Sequence, residues 1–308
     1  MSNQLSQSDS FDLAEVESAI ASTQFANHLH LVATTPSTND LALAAAQSGA
    51  RHGVWIAEEQ TAGRGRGNHA WHSSSGDGLY LSVLIAPPIS VQSALGLSFT
   101  TAIAVQSAIS SVFGFHRPSQ IDIRWPNDLM LNRRKVGGIL IETASIPATA
   151  SQPATLRYAI LGIGINLNHT TFPPELDSIA TSIRRELPGP AASHEVLSRE
   201  ASSMVRSTVD DSTKCLRREP LTAAILVALD AEILRITTNN QQPTTSNLPD
   251  LSQYSSWITG KRVRVEACDD NSGGYTGITA GLDRSGFLLV HGDDGQLHTV
   301  LSGGLRER

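Results

Sequence analysis

The chain has 308 residues, enough for one large domain and a smaller companion, because single hydrophobic cores stop growing near this size. A hydrophobic fraction of 40%, a charged fraction of 17% and a formal net charge of -6 are ordinary for a globular protein and argue against a general polyanion binder. Residues 1–17 contain no Lys or Arg and no sustained apolar run, so neither a secretory signal nor a mitochondrial presequence is visible. We therefore expect a cytoplasmic protein.

The residue pattern argues against disulfides, a zinc site and membrane-spanning segments. Cys215 and Cys268 lie far apart and belong to no C-x-x-C or His cluster, so neither a disulfide framework nor a zinc site is predicted. Apolar stretches such as 139–141 and 158–165 are far shorter than the roughly 20 residues that cross a bilayer. We expect no membrane-spanning segment.

The N-terminal extension, residues 1–28, is predicted to contain one helix, because the apolar residues of 11–25 follow helical spacing. One helix is too short for a winged helix-turn-helix, and the extension is not basic, so we expect no DNA binding. A strand over 29–34 follows, and then Ser37 is placed to cap an alanine-rich helix over 39–48 that Gly49 ends.

Strands and helices continue to alternate through residue 236, which predicts a mixed α/β sheet with several hairpins in one large domain over 29–236. A loop over 188–194 leads into its last two helices. The predicted strands are 54–58, 79–85, 121–125, 129–131, 135–143 and 156–166, and the predicted helices are 94–113, 195–209 and 221–236.

The C-terminal part differs in composition. A polar tract over 237–257 predicts a linker or disordered loop. Beyond it, glycine-rich turns separate short strands, as in a small SH3-like barrel over 258–308. The predicted strands of this second domain are 261–267, 275–282, 287–291 and 296–300.

The loop Gly63-Arg64-Gly65-Arg66-Gly67 combines glycines, which permit close approach of the backbone to a ligand, with planar cationic side chains that suit phosphate. A solvated turn is the alternative, at about even odds for these five residues alone. RNA-binding Arg-Gly segments are a weaker rival, because they are usually repeated and this loop occurs once.

The segment Arg124-Trp125-Pro126-Asn127-Asp128 lies at a predicted strand end, where α/β proteins often place sites, and Lys135 with Gly137-Gly138-Ile139-Leu140 follows it. Core packing is the favoured interpretation of Trp125 alone. Asn127 and Asp128 could simply form a turn, and Lys135 alone would usually be a surface residue.

Glycines interrupt the predicted strand at Gly162-Ile163-Gly164-Ile165-Asn166, which weakens pairing but permits close contact with a ligand or another backbone. The pattern is not a dinucleotide fingerprint, because no third glycine opens a helix and no βαβ unit follows.

Taken in order, these segments together with Ser37-Thr38-Asn39, the run from Glu59 to Arg66, and Trp71 resemble the biotin protein ligase family. The resemblance is specific from about Thr34 to Arg185 and weaker from Gly260 onward. It implies an α+β fold, with a mixed-sheet, class II synthetase-like catalytic domain followed by a small SH3-like β-barrel. It also implies an ATP-dependent ligase, of the type without a DNA-binding domain, that forms biotinyl-5'-AMP and transfers biotin to a lysine of a carboxylase carrier domain.

The resemblance assigns a role to each matching residue. Lys135, Arg66 and Arg64 would be catalytic, and Asp128 is a candidate Mg²⁺ ligand. The residues that would contact ATP are Arg66, Asn127, Lys135 and Asn166. The residues that would contact biotin are Ser37, Thr38, Asn39, Gln60, Arg64, Gly65, Arg66, Trp71, Lys135, Gly138, Ile139, Gly162 and Gly164.

ATP and Mg²⁺ are the implied co-substrate and ion, and the expected partners are biotin and the carrier domain, with the chain a monomer or weak homodimer. Arg124 stands where the family more commonly has lysine, the loop continues as Gly67-Asn68-His69, and the polar tract is longer than the family needs. A lipoate ligase is the nearest rival, and a biotin-sensing repressor is the rival from another class.

Overall fold

The computed structural model of the chain describes residues 11–87, 89–91, 94–149, 154–187, 215–238, 251–266, 274–283, 286–301 and 304–307. The helix predicted over 195–209 and the loop over 188–194 lie outside these residues. The helices are α1 Leu13–Ala19, α2 Thr38–Gln47, α3 Ala94–Phe113, α4 Pro174–Asp177, α5 Ile183–Glu186 and α6 Glu219–Thr238, with 3₁₀ turns at Arg66–Asn68 and Leu251–Gln253.

A seven-stranded mixed sheet forms the larger part of the fold, in the order β1-β2-β3-β7-β6-β5-β4. Only the β1–β2 pair is parallel, and the other neighbours are antiparallel. Its strands are β1 Leu29–Thr35, β2 Gly53–Gln60, β3 Gly78–Ile85, β4 Ile121–Arg124, β5 Asp128–Leu131, β6 Arg134–Ile146 and β7 Thr155–Asn166.

The main core lies between this sheet and the long helices α3 and α6, which pack against each other. α3 contains no charged residue, and its segment Gly96–Phe113 is long and apolar enough to cross a membrane by length and composition alone. Because 83% of that segment is buried, it has the setting of a core helix. The N-terminal extension is part of the same core, since Phe11, Val16 and Phe25 are buried in it.

A second, antiparallel sheet follows near the C-terminus, in the order β11-β10-β9-β8-β12. The two sheets with their helices confirm the predicted α+β class. The C-terminal sheet has one strand more than the sequence predicted. The additional strand, β12, pairs with β8. The strands are β8 Thr259–Glu266, β9 Tyr275–Leu282, β10 Leu288–Gly292, β11 Leu297–Val300 and β12 Gly304–Glu307.

Both ends of the tract predicted as a polar linker are structured. α6 continues through Thr238, two residues beyond its predicted end. At the other end, Ser255 Oγ donates to the carbonyl of Ile123 at 2.6 Å, and Ser256 Oγ donates to Asp122 Oδ2 at 2.5 Å. These polar side chains bond to β4, which composition alone does not reveal. The middle of the tract, 239–250, lies outside the described residues.

Candidate active site

A cleft opens on one face of the large sheet, between β7, β6, the N-terminus of α2 and the arginine-glycine loop. It and its mouth hold about 460 Å³ of space. Residues that are distant in the chain meet there because the ends of β2 and β7 and the beginning of β6 lie at the same edge of the sheet. The lining residues are Ser37, Thr38, Asn39, Gln60, Arg64, Gly65, Arg66, Trp71, Asn127, Lys135, Gly138, Ile139, Leu140, Gly162, Ile163 and Gly164.

One end of the cleft is built around the start of α2. Ser37 is the N-cap of this helix, and its Oγ accepts from the backbone N–H of Asn39 at 3.3 Å. Thr38 donates to Gln60 Oε1 through its backbone N–H at 2.9 Å and its hydroxyl at 3.2 Å. Gln60 Nε2 in turn donates to Ser73 Oγ at 3.0 Å. Helix capping therefore also orients the amide and hydroxyl groups of the site.

Asn39 is held by two residues that sequence analysis did not single out. Its Nδ2 donates to Glu142 Oε2 at 2.5 Å, and its Oδ1 accepts from Ser82 Oγ at 2.5 Å. Ser82 is fully buried and also lies 2.7 Å from Thr38 Oγ1. These bonds fix the amide plane of Asn39, so this end of the cleft is preorganised for a polar ligand.

The floor of the cleft requires glycine at two positions of β7. A Cβ added to Gly162 would lie 2.4 Å from Asn39 Oδ1, and one added to Gly164 would lie 2.6 Å from Trp71 Nε1. Neither separation is sterically possible, so any larger side chain would displace Asn39 or Trp71. Alternate residues of a strand share a face, which is why both glycines point into the cleft.

The two arginines of the loop have different surroundings. Arg64 forms a two-pronged ion pair with Asp40, at 3.0 and 2.7 Å, and lies 3.8 Å from Glu142. The hydrogen bond to Asp40 raises the pKa of the Arg64 guanidinium above its usual value, against the opposing effect of burial. Arg66 makes no side-chain hydrogen bond or ion pair with any described residue. Its charge is therefore the more available of the two for a ligand.

Lys135 lines the same cleft, and its Nζ is 2.6 Å from Asp128 Oδ1 and 5.4 Å from the centre of the Trp71 ring. The other carboxylate oxygen of Asp128 accepts from Arg124 at 2.5 Å. Burial raises the pKa of the Asp128 carboxyl, but the charges of Lys135 and Arg124 outweigh it and hold this pKa below its usual range. Asp128 is therefore ionised at neutral pH and fixes the ammonium of Lys135.

The predicted site residues line this cleft, with two exceptions. Asp128 reaches it only through Lys135. Asn166 does not line it, because its buried Nδ2 donates to the carbonyl of Thr181 at 3.0 Å. Asn127 does line it, although its Nδ2 donates to the carbonyl of Ile139 at 2.9 Å, which is the turn-forming role also considered for it. Trp125 is buried, as core packing predicted.

Sequence analysis missed the lining residues Leu140 and Ile163, and the supporting residues Asp40, Ser82 and Glu142. The alternation of residues along a strand could have indicated two of these residues from the sequence. Leu140 and Glu142 follow Gly138 at alternate positions of β6 and so share its face. The other supporting residues are identified only by long-range contact.

The structure gives no support to Asp128 as a direct Mg²⁺ ligand. Both of its oxygens already contact cationic side chains. Over the described ranges, no group of three or more His, Cys, Asp or Glu residues is placed to hold a metal ion.

The architecture is shared with solved ligases. A biotin protein ligase from Aquifex aeolicus, in complex with biotin and ATP, matches with a TM-score of 0.63 at 22% identity, over 92% of this chain and 100% of that chain. This likeness shows a shared α+β fold. Residues 31–166 match the model described as Biotin/lipoate A/B protein ligase family, and residues 258–303 match the Biotin protein ligase C terminal domain.

The sequence of one relative aligns with most of this chain. The biotin--[acetyl-CoA-carboxylase] ligase of Mycobacterium tuberculosis is 30% identical over 90% of this chain and 87% of its own length. This protein belongs to the biotin/lipoate A/B protein ligase family, which confirms the resemblance found in its motifs. The bifunctional ligase/repressor BirA of Bacillus subtilis is 35% identical over 55% of this chain, a match that spans about half, 50%, of that relative's length.

Proposed function

We propose that this protein is an ATP-dependent biotin protein ligase. In this proposal it forms biotinyl-5'-AMP from biotin and ATP, and then transfers biotin to one lysine of the biotin carboxyl carrier domain of an acyl-CoA carboxylase. The proposal rests on one observation: a single cleft is lined by neutral hydrogen-bonding side chains and by cationic side chains. Hydroxyl and amide groups meet beside Gly162 at one end, Lys135 lies beside Gly138 towards the other, and Arg66 also lines the cleft.

The polar end suits the head of biotin. A ureido ring has one carbonyl acceptor and two N–H donors, and the side chains of Ser37, Thr38, Asn39 and Gln60 provide both types of partner. Gly138, Ile139, Gly162 and Gly164 would contact the aliphatic tail through a backbone without obstructing side chains, and Trp71 would form the wall.

The cationic end suits the reaction. The carboxylate of biotin must approach an α-phosphorus surrounded by negative oxygens, and two such charges repel by about 4 kcal/mol at 4 Å with an effective dielectric near 20. An ammonium between them offsets this repulsion where it is largest, so we assign that position to Lys135. Arg66 and Arg64, with Gly65 between them, would cover the adenylate.

The nucleotide part of the proposal rests on fewer contacts. Asn127 would reach ATP from the lining of the cleft. Asn166 would have to exchange its bond to the Thr181 carbonyl for one to ATP. Mg²⁺ belongs to the proposal as the ion that accompanies the ATP phosphates, and not as an ion held by Asp128. We also propose a cytoplasmic enzyme that is a monomer or weak homodimer.

The proposal is tested by mixing the protein with ATP, Mg²⁺ and either biotin or lipoate, and measuring pyrophosphate release. We expect release with biotin and little with lipoate, because a dithiolane ring offers no partners to the amide and hydroxyl groups. Mass spectrometry of an added carrier domain should then show one biotin on one lysine. Release with lipoate alone, or none with either acid, would refute the assignment.

A further inference from the structure

The C-terminal sheet contacts the catalytic cleft indirectly through Trp257. This residue is 6% exposed and packs in the core of the second sheet, together with Val263, Val290 and Val300. The guanidinium carbon of Arg124 lies 5.7 Å from the centre of the Trp257 ring, and Lys261 Nζ lies 5.0 Å from it. Arg124 belongs to the large sheet, so this cation–π contact joins the two parts of the fold.

Arg124 is connected to the cleft by its bonds to Asp128, which in turn pairs with Lys135. Its Nη2 and Nε donate to Asp128 Oδ2 at 2.5 and 3.2 Å, and Asp128 Oδ1 accepts from Lys135 Nζ at 2.6 Å. The side chain of Asp128 is only 16% exposed, so its two ion pairs are weakly screened by solvent. The orientation of the carboxylate therefore determines where the ammonium of Lys135 is held.

Arginine at position 124 is suited to this arrangement in a way that lysine is not. A guanidinium is planar, so one face can stack on an indole while its edge donates two hydrogen bonds to one oxygen of a carboxylate. An ammonium is a compact charge without a plane, and it cannot make both contacts with fixed geometry. The departure from the family's more common lysine thus has a structural consequence in this chain.

A second contact supports the same strand end. Trp125, the residue after Arg124, is 3% exposed and packs in the core of the C-terminal sheet. Its Nε1 donates to the carbonyl of Gly286 at 3.2 Å. The backbone that carries Arg124 is therefore anchored on the second domain as well, which limits the movement of the guanidinium.

We propose that Trp257 and Arg124 are positioning residues for adenylation, through which the C-terminal domain orients Asp128 and so Lys135. This inference rests on the proposed function, which places Lys135 at the reacting groups. It extends the active site to a domain whose described residues do not line the cleft.

The test compares Trp257→Leu, Trp257→Phe and Arg124→Lys. Leu and Phe both fill apolar space, but only Phe keeps an aromatic face for Arg124. From the strength of a desolvated cation–π contact, we expect Trp257→Leu to lower the kcat of biotin-dependent pyrophosphate release by about 3- to 30-fold, with the Kd for biotin changed less than about twofold. Trp257→Phe should recover most of kcat. Arg124→Lys should resemble Trp257→Leu without altering the C-terminal core.

Val300→Ala is the matched control, because Val300 is 3% exposed in the same core as Trp257. We expect this variant to lower Tm while leaving kcat near that of the unmodified protein. An unchanged kcat in Arg124→Lys, an equal loss in Trp257→Phe and Trp257→Leu, or an equal loss in Val300→Ala would overturn the positioning role. Absence of pyrophosphate release from the unmodified protein would instead refute the proposed function itself.

Discussion

The two ends of the cleft are built on different physical principles. At the α2 end, the polar side chains of Thr38, Asn39 and Gln60 are hydrogen-bonded to one another or to neighbours in the sheet. At the other end, Lys135 pairs with Asp128 and lies over the Trp71 ring, and Arg66, which also lines the cleft, has no side-chain partner among the described residues. The first end is preorganised by its own bonds, whereas the second holds cationic charge ready for an anion.

This difference separates binding from chemistry. Hydrogen bonds already in place orient a polar ligand equally before and during reaction, so they contribute mainly to affinity. Cations that meet a charge developing in the transition state contribute mainly to rate. Substitutions at the two ends should therefore change different measured quantities, and the following predictions test that separation, starting with the largest expected effect.

Replacing Lys135 with Ala should lower the rate of adenylation by about 10² to 10³, the scale of a lost electrostatic donor. Biotin affinity should fall much less, because the contacts around α2 remain. Calorimetry of biotin binding and a coupled assay of pyrophosphate release, on one preparation, measure the two quantities. Arg134→Ala is a suitable control, since this neighbouring cation pairs with Glu186 and lines no part of the cleft. A loss confined to biotin affinity would contradict the proposed role of Lys135.

Replacing Gly162 with Ala should lower biotin affinity by about 10- to 100-fold, the scale of a buried polar group deprived of its partner. The new Cβ would meet Asn39 Oδ1 at 2.4 Å and so move this amide away from Ser82. Calorimetry measures the affinity. Gly138→Ala provides a graded comparison, because its Cβ would meet nothing nearer than 3.4 Å. Equal losses in the two variants would show that displacement of Asn39 is not the cause.

Replacing Arg66 with Ala should weaken binding of a non-hydrolysable biotinyl-adenylate analogue by about tenfold, as expected for one charge-assisted hydrogen bond. Arg64→Ala should weaken it less, because Asp40 already neutralises the charge of Arg64 at 2.7 Å. Titration calorimetry of both variants at two salt concentrations shows which variant loses more affinity for the analogue. A larger loss in Arg64→Ala would mean that Arg64 leaves Asp40 when the ligand binds.

The smallest expected effect concerns the loop over residues 63–68. Backbone bonds close it, from Gly65 N–H to the His69 carbonyl at 2.7 Å and from Trp71 N–H to the Gly63 carbonyl at 2.8 Å. Arg64 is paired with Asp40, but Arg66 has no side-chain partner among the described residues. An anion that binds Arg66 would restrain the loop, so we expect biotin with ATP to slow hydrogen exchange across it. The exposed turn at Arg133 is the internal control. Equal exchange with and without ligands would contradict this prediction.

Much of the local structure could be predicted from the sequence. The predicted bounds of α3 and β9 agree with the observed ones, because helical and alternating apolar periodicity depends on neighbours in the chain. The capping role of Ser37 is local for the same reason. The motifs that carry the family resemblance are also short, contiguous segments, and they were sufficient to indicate one shared cleft.

Other features depended on which strands are neighbours. β12 was missed because a short strand with glycine at its start has little periodicity of its own, and it exists by pairing with β8. The buried position of Trp125 was predicted, but its location in the C-terminal core was not. Asn166 follows the glycine motif, yet its side chain bonds to the Thr181 carbonyl rather than lining the cleft.

The sequence by itself therefore determined most of the elements, the family and most of the residues that meet in the cleft, since these are encoded in short contiguous patterns. Only the tertiary structure decided how those residues are charged and oriented. Asp40 and Glu142 lie against Arg64, Asp128 fixes the position of Lys135, and Ser82 fixes the plane of Asn39. The physical reason is that electrostatic and hydrogen-bond partners act over distances of 2.5 to 4 Å in space, as between Asn39 and Glu142 at 2.5 Å, irrespective of separation along the chain.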